Sequence, residues 1–103
     1  MKLRLIFLII FIISFFTQLK SDEIFNTGKQ IFLNQGNCAT CHSLKDAKSS
    51  ANVGPNLNEI RPDIGRVKNA LINGAGVMPA YQGILTDEEI DAVSYYVSKS
   101  ANN

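Results

Sequence analysis

The stretch Gly36–Leu44, GNCATCHSL, puts Cys38, Cys41 and His42 within five positions, and the chain has no other cysteine or histidine. Two thiols and an imidazole at this spacing admit four chemistries. A structural zinc ion wants four Cys or His ligands; three are on offer, and nothing indicates which carboxylate would complete the set. A disulfide from Cys38 to Cys41 closes so small a loop that it constrains little of the unfolded chain. A thioredoxin-like thiol pair calls for a surrounding βαβ pattern, which is missing. The fourth chemistry is covalent attachment of a c-type haem through C-x-x-C-H. The two thiols add to the vinyl groups, and the adjacent imidazole is brought under the iron to bind through Nε2. This fourth reading is favoured over the other three.

A haem iron has a second axial position, and His42 cannot fill both. Met1 falls in an expected leader, which makes Met78 the one remaining thioether. It sits in GAGVMPAY, an irregular segment rather than a helix. Pro79 restricts Met78 to extended geometry, and the glycines allow close approach of the backbone to a ring. The plain alternative is a loop methionine packed on the core; beside CATCH the ligand role is favoured. His/Met ligation is the pairing used for electron transfer.

These residues have to be positioned by a small domain. Residues 1–21, MKLRLIFLIIFIISFFTQLKS, carry Lys2 and Arg4, then the apolar run Leu5–Phe16, then a short polar end. This is the layout of a secretory signal peptide. The alternative is a retained anchor. The uncharged stretch Leu5–Leu19 reaches only about 22 Å as a helix, short of a hydrocarbon core of about 30 Å, so cleavage is favoured. Removing residues 1–21 takes three of the ten basic residues, leaving seven against nine acidic ones in residues 22–103. A net charge near −2 argues against nucleic acid as a partner. A domain this small often needs a staple, metal or cofactor.

Three helices are expected in residues 22–103, and no strand, because no run alternates over strand length. The first starts near Asp22 or Glu23, shows Ile24, Gly28, Ile31, Phe32 and Gln35 at helical spacing, and ends at Gly36. Gly28 inside a helix implies close approach of another helix. Residues 43–61 read as loop. A second helix is expected from Asp63 to Ile72, with Ile64, Val67, Leu71 and Ile72 inward. The last opens on TDEE, where Thr86 and Glu89 can form a capping box, and buries Ile90, Val93, Tyr96 and Val97.

Taken in order, GKQIF, CATCH, VGPNL, GVMPAY and LTDEEIDAVSYYV resemble the small soluble class I c-type cytochromes over nearly all of residues 22–100. The resemblance implies an all-α cytochrome c fold of about three to four helices around one covalently bound haem c, with the N- and C-terminal helices crossing. It implies that Gly28 and Phe32 meet Tyr96 at that crossing. It makes Cys38 and Cys41 the thioether positions and His42 and Met78 the axial iron ligands. It also gives Pro55 a supporting role: its carbonyl would accept the Nδ1–H of His42, fixing the tautomer of a ligating imidazole. The plain alternative is that Gly54-Pro55 is a turn.

The implied function is a periplasmic one-electron carrier, not an enzyme, since both axial positions are filled. The alternative is a haem c subunit of a periplasmic dehydrogenase complex. Quinol–cytochrome c oxidoreductases, terminal oxidases, photosynthetic centres and periplasmic dehydrogenases are compatible partners. A monomer is expected, with membrane attachment only if the leader stays. A lysine-rich docking rim, as in the mitochondrial type, is absent: Lys45 and Lys48 follow the haem motif but read as a solvated loop. Arg61, Arg66 and Lys68 are candidates to meet a propionate, and no sequence feature selects one.

Overall fold

The computed structural model describes residues 2–103. Four α-helices carry the architecture: α1 (Lys2–Leu33), α2 (Leu57–Ile60), α3 (Ile64–Asn73) and α4 (Asp87–Ala101). A 3-10 turn spans Cys38–Thr40, and two short strands, β1 (Ser43–Leu44) and β2 (Ser49–Ser50), pair antiparallel with Ser43 opposite Ser50 and Leu44 opposite Ser49. The expectation of no strand is corrected by this ladder. Two residues per strand are too few to display an alternation.

The first helix also differs from expectation. It begins at Lys2 rather than near Asp22, and runs unbroken to Leu33. No proline occurs in that span and the only glycine is Gly28, so nothing interrupts propagation once the helix has nucleated. Asp22 and Glu23 therefore lie mid-helix. From Leu3 to Leu19 the apolar side chains stand exposed. The helix stops three residues before Gly36, which is buried and donates its N–H to the Ile31 carbonyl at 2.7 Å. Asn37, at φ 54°, then turns the chain left-handed into the Cys38 segment. Gln35 is exposed, so the inward stripe ends at Phe32.

The core forms where α1 crosses α4. A Cβ on Gly28 would collide with the Ala92 carbonyl oxygen and lie 2.6 Å from the Tyr96 Cβ. Only hydrogen fits there. The Tyr96 ring packs edge-on against two α1 rings, Phe25 at 4.9 Å and Phe32 at 5.7 Å between centroids. Phe25, Gly28 and Phe32 lie three and four apart, on one helix face, with the glycine as the notch between two aromatic walls. The expected contact of Gly28 and Phe32 with Tyr96 is present; Phe25 was not foreseen.

Both later helices begin on side-chain caps. The Asp63 carboxylate accepts the N–H of Arg66 at 2.8 Å, so Asp63 caps α3 from outside and the helix runs one residue past Ile72, to Asn73. Leu71 is buried and Val67 and Ile72 are half-buried, but Ile64 is 48% exposed. The stripe was read correctly, yet its first turn overhangs the core and borders a shallow surface groove with Ile24 and Tyr95. At α4 the capping box is complete: Thr86 Oγ1 accepts from the Glu89 N–H at 3.1 Å, and Glu89 Oε1 accepts from the Thr86 N–H at 2.9 Å. The stretch read as loop contains α2, a single turn capped by Asn56 and closed by Arg61 in the left-handed region. The earlier part of that stretch is held to the crossing: Tyr96 donates its hydroxyl to Asp46 Oδ2 at 2.7 Å, and Lys29 pairs with the same oxygen at 3.2 Å.

Candidate functional site

The Cys38 carbonyl accepts N–H donors from both Cys41, at 3.1 Å, and His42, at 2.9 Å. The C-x-x-C-H segment is thereby wound into one helical turn, and residues three and four apart share a face. That face borders a cavity of about 350 Å³, in the range of ligand-binding clefts. Cys38, Cys41, His42, Pro55 and Met78 all line it, so the five residues singled out in the sequence are brought to one place. The remaining wall is mostly apolar. Phe32 comes from α1, Leu57 and Ile60 from α2, Val67 and Leu71 from α3, and Val93 and Val97 from α4.

His42 is held by its neighbours. Its Nδ1 lies 2.8 Å from the Pro55 carbonyl oxygen. A carbonyl only accepts, so Nδ1 carries the proton, and in the neutral imidazole Nε2 then keeps its lone pair. A Cβ at Gly54 would sit 2.6 Å from the imidazole Cε1, so the ring lies directly on glycine backbone. The Gly54 N–H in turn donates to the Cys41 carbonyl at 2.7 Å, locking the VGPNL loop onto the cysteine turn. Gly54 was read only as part of a turn; the cradle it makes for the imidazole depends on tertiary contact and has no local signature.

The cysteines are not joined to each other, with Cys41 exposed and Cys38 half-buried. Burial pushes the Cys38 thiol up to about 11. A redox dithiol needs a thiol lowered toward neutrality, and burial moves Cys38 the other way. No cluster of three or more His, Cys, Asp or Glu side chains able to hold a metal ion occurs among the described residues. That leaves the zinc reading without its fourth ligand.

Met78 reaches the cavity from the segment between α3 and α4. Ala75 and Met78 exchange both backbone hydrogen bonds at 3.0 Å, making a tight turn with Gly76 at φ 59° and Val77 94% exposed at its tip. Tyr81, three residues on, also lines the cavity and was not singled out in the sequence. Of the three cations named earlier, Arg66 borders the cavity, whereas Lys68 pairs with Asp91 at 2.6 Å and the Arg61 guanidinium donates to the Asn58 carbonyl at 3.4 Å. Lys45 and Lys48 are exposed in the turn between β1 and β2, as expected of a solvated loop.

The donor set fits a covalently held haem. A largely apolar cleft is bordered by two thiols, an imidazole with its Nε2 free, a thioether from another loop and one guanidinium. When bound, that group supplies one-electron oxidation and reduction at iron.

Comparison with known proteins agrees. Residues 23–97 match the family model described as cytochrome c oxidase, cbb3-type, subunit III. A cytochrome c6 from Gracilaria tenuistipitata var. liui is 34% identical, over 98% of each chain. A cytochrome c6 from Diacronema lutheri is 35% identical over 72% of this chain and 93% of its own. Among solved structures, the c-type cytochrome SorU from Sinorhizobium meliloti superposes with a TM-score of 0.74 at 50% identity, covering 78% of this chain and 93% of that one. With the helical fold, the crossing at Gly28 and the C-x-x-C-H turn on an apolar cleft, these matches establish that the chain belongs to the cytochrome c family, as a small class I c-type cytochrome with a covalently bound haem c that carries electrons between redox proteins.

Proposed function

We propose that the protein is an exported, periplasmic one-electron carrier in which Cys38 and Cys41 form the thioether links and His42 and Met78 are the axial ligands. The observation that carries this reading is the convergence of these four side chains on one apolar-lined cavity. His42 would bind through Nε2, the nitrogen left free by the Pro55 carbonyl. That hydrogen bond also raises the basicity of the imidazole. Arg66, the candidate cation bordering the cleft, would meet a propionate carboxylate.

Met78 sets what the site does not do. A thioether in the sixth position leaves no opening for oxygen or substrate, so the chain transfers electrons without catalysing a reaction of its own. Thioether ligation favours the reduced iron, and the apolar wall adds to this, giving a high potential for a haem. The carrier would exchange electrons with partners such as quinol–cytochrome c oxidoreductases, terminal oxidases or periplasmic dehydrogenases. The N-terminal 18-residue window of mean hydropathy 2.0, exposed throughout, supports export through residues 1–21.

The test is an optical spectrum of protein matured with haem-attachment machinery, oxidised and reduced, followed by denaturing extraction. Haem retained on the polypeptide and the weak far-red band of ferric iron bound to methionine sulfur are expected. Met78→Ala should keep the covalent haem, lose that band and admit cyanide. Its potential should fall by at least about 59 mV, a tenfold shift in a one-electron equilibrium. An unchanged band in that variant would overturn the Met78 assignment; extractable haem would overturn the cysteine assignment.

A further inference from the structure

The segment carrying Met78 is weakly fastened between its ends. From Ala75 to Ala80 its backbone hydrogen bonds are the mutual pair of Ala75 and Met78. The fastening comes at Tyr81. Its N–H donates to the Leu71 carbonyl of α3 at 2.6 Å, and its own carbonyl accepts from Ile84 and Leu85 at 2.9 Å. Its side chain does something else. The phenol donates to the Gly36 carbonyl at 2.8 Å across 45 residues of sequence. Gly36 is buried and stands two residues before Cys38. Tyr81 thus joins three walls of the cavity: the last turns of α3, the Met78 segment and the start of the cysteine turn.

We propose that Tyr81 is the positioning residue for Met78: the Tyr81 hydroxyl, bonded to the Gly36 carbonyl, ties the Met78 segment to the cysteine turn and so keeps the thioether seated in the sixth position. The inference rests on the reading of Met78 as axial ligand. Without the hydroxyl, the backbone bonds of Tyr81 keep the segment attached to α3. Its link to the other wall is lost, and an outside ligand competes more easily with the sulfur. Replacement of the phenol by phenyl removes one hydrogen bond and leaves the ring that lines the cavity.

The experiment is a titration of the ferric, haem-loaded full chain with imidazole, followed by loss of the far-red band and by the Soret shift, for wild type, Tyr81→Phe, Met78→Ala and the double variant. Tyr81→Phe should show the far-red band without imidazole and bind imidazole about fivefold to tenfold more tightly than wild type, the worth of one hydrogen bond. In the Met78→Ala background the same change should have no effect, because no sulfur is left to seat. Tyr81→Leu, which loses ring and hydroxyl together, should tighten imidazole binding at least as much as Tyr81→Phe. Equal imidazole affinity in wild type and Tyr81→Phe, with Met78→Ala binding tightly, would overturn the positioning role and leave the axial assignment standing. A lowered melting temperature with unchanged imidazole affinity would make Tyr81 merely structural and overturn it too. An intact far-red band in Met78→Ala would sink the ligand assignment and this inference with it.

Discussion

At the crossing of α1 with α4, backbone lies against side chain and backbone with no space to spare. Gly28 faces the Ala92 carbonyl, and the Tyr96 ring is wedged between Phe25 and Phe32. In the Met78 segment, a turn with an exposed tip is suspended between one helix end and one tyrosine. Gly76 there has nothing within 4 Å of where a Cβ would be, and glycine serves its φ of 59° rather than a close contact. One region is fixed by shape throughout; the other is held by a few directional bonds, with one close backbone approach where Gly74 meets the Met78 carbonyl. Close-packed surfaces tolerate added volume badly, whereas a loop held by hydrogen bonds gives way one bond at a time. The crossing therefore sets whether the fold exists, and under the proposed function the loop seats the second axial ligand.

The largest effect should come from putting a methyl group into the crossing. Gly28→Ala forces a Cβ into the Ala92 carbonyl, a backbone atom that cannot swing aside. Overpacking against a backbone atom costs about 3 kcal/mol, the upper end of the usual range, lowering the melting temperature of a domain this size by more than about 10 °C. Calorimetry on the haem-loaded protein checks it. A melting point within about 3 °C of wild type would mean that the two helices can move apart cheaply, and the contrast with the Met78 loop would collapse.

Much of this contrast was legible in the sequence, and the boundary has a physical cause. The CATCH turn, the TDEE cap, the α3 stripe and the notch at Gly28 are local or periodic signals, so they could be read from spacing alone. Met78 was singled out by elimination, because one thioether remained, and the structure brings it to the cavity. Tyr81, Gly54 and Asp46 were missed because each acts through a partner far along the chain: Gly36, His42 and Tyr96 respectively. No spacing rule encodes such pairs. The start of α1 was placed near Asp22 for the chain without residues 1–21; with those residues present, a continuous helix former on the N-terminal side of the two acids carries the helix back to Lys2. Ile64 shows a third limit: periodicity assigns a face, not how far along the helix that face stays covered.

A smaller effect, and a pH-dependent one, is expected where the crossing holds the loop after CATCH. Burial, and then the bond to Asp46, lift the Tyr96 phenol above the ordinary tyrosine range, whose value is 10.0. The folded state thus holds this proton more tightly than the unfolded chain. The stabilisation is fully present below about pH 10, where both states are protonated, and is lost as pH rises from there toward the folded value. Tyr96→Phe removes it. Urea midpoints should put the variant below wild type by about 1 kcal/mol at pH 8. The figure is modest because Asp46 is about a third exposed and keeps Lys29. Between pH 10 and 11 the gap should narrow. The difference between wild type and variant reads the Tyr96 hydroxyl together with the Asp46–Lys29 pair it joins. A gap that stayed constant would mean that the phenol contributes packing alone.

The smallest effect should have the opposite sign. Two serines are buried on α4. Ser100 donates its hydroxyl to the Tyr96 carbonyl at 2.7 Å. The Ser94 oxygen is fully buried and has no hydrogen-bond partner among the described residues. An unpaired buried hydroxyl has given up its water without compensation, at a cost of about 1–3 kcal/mol, and serine is also a weaker helix former than alanine. Ser94→Ala deletes the unpaired atom and opens only the volume of one oxygen. It should raise stability by about 0.5–1 kcal/mol, while Ser100→Ala lowers it by a similar amount. Paired urea denaturations of the haem-loaded variants, read by far-ultraviolet circular dichroism, separate the two. Destabilisation by both substitutions would mean that the Ser94 hydroxyl finds a partner in solution, a water or a carbonyl brought within reach by a small shift of α4. The crossing would then be less rigid than its packing implies, and closer in kind to the loop that carries Met78.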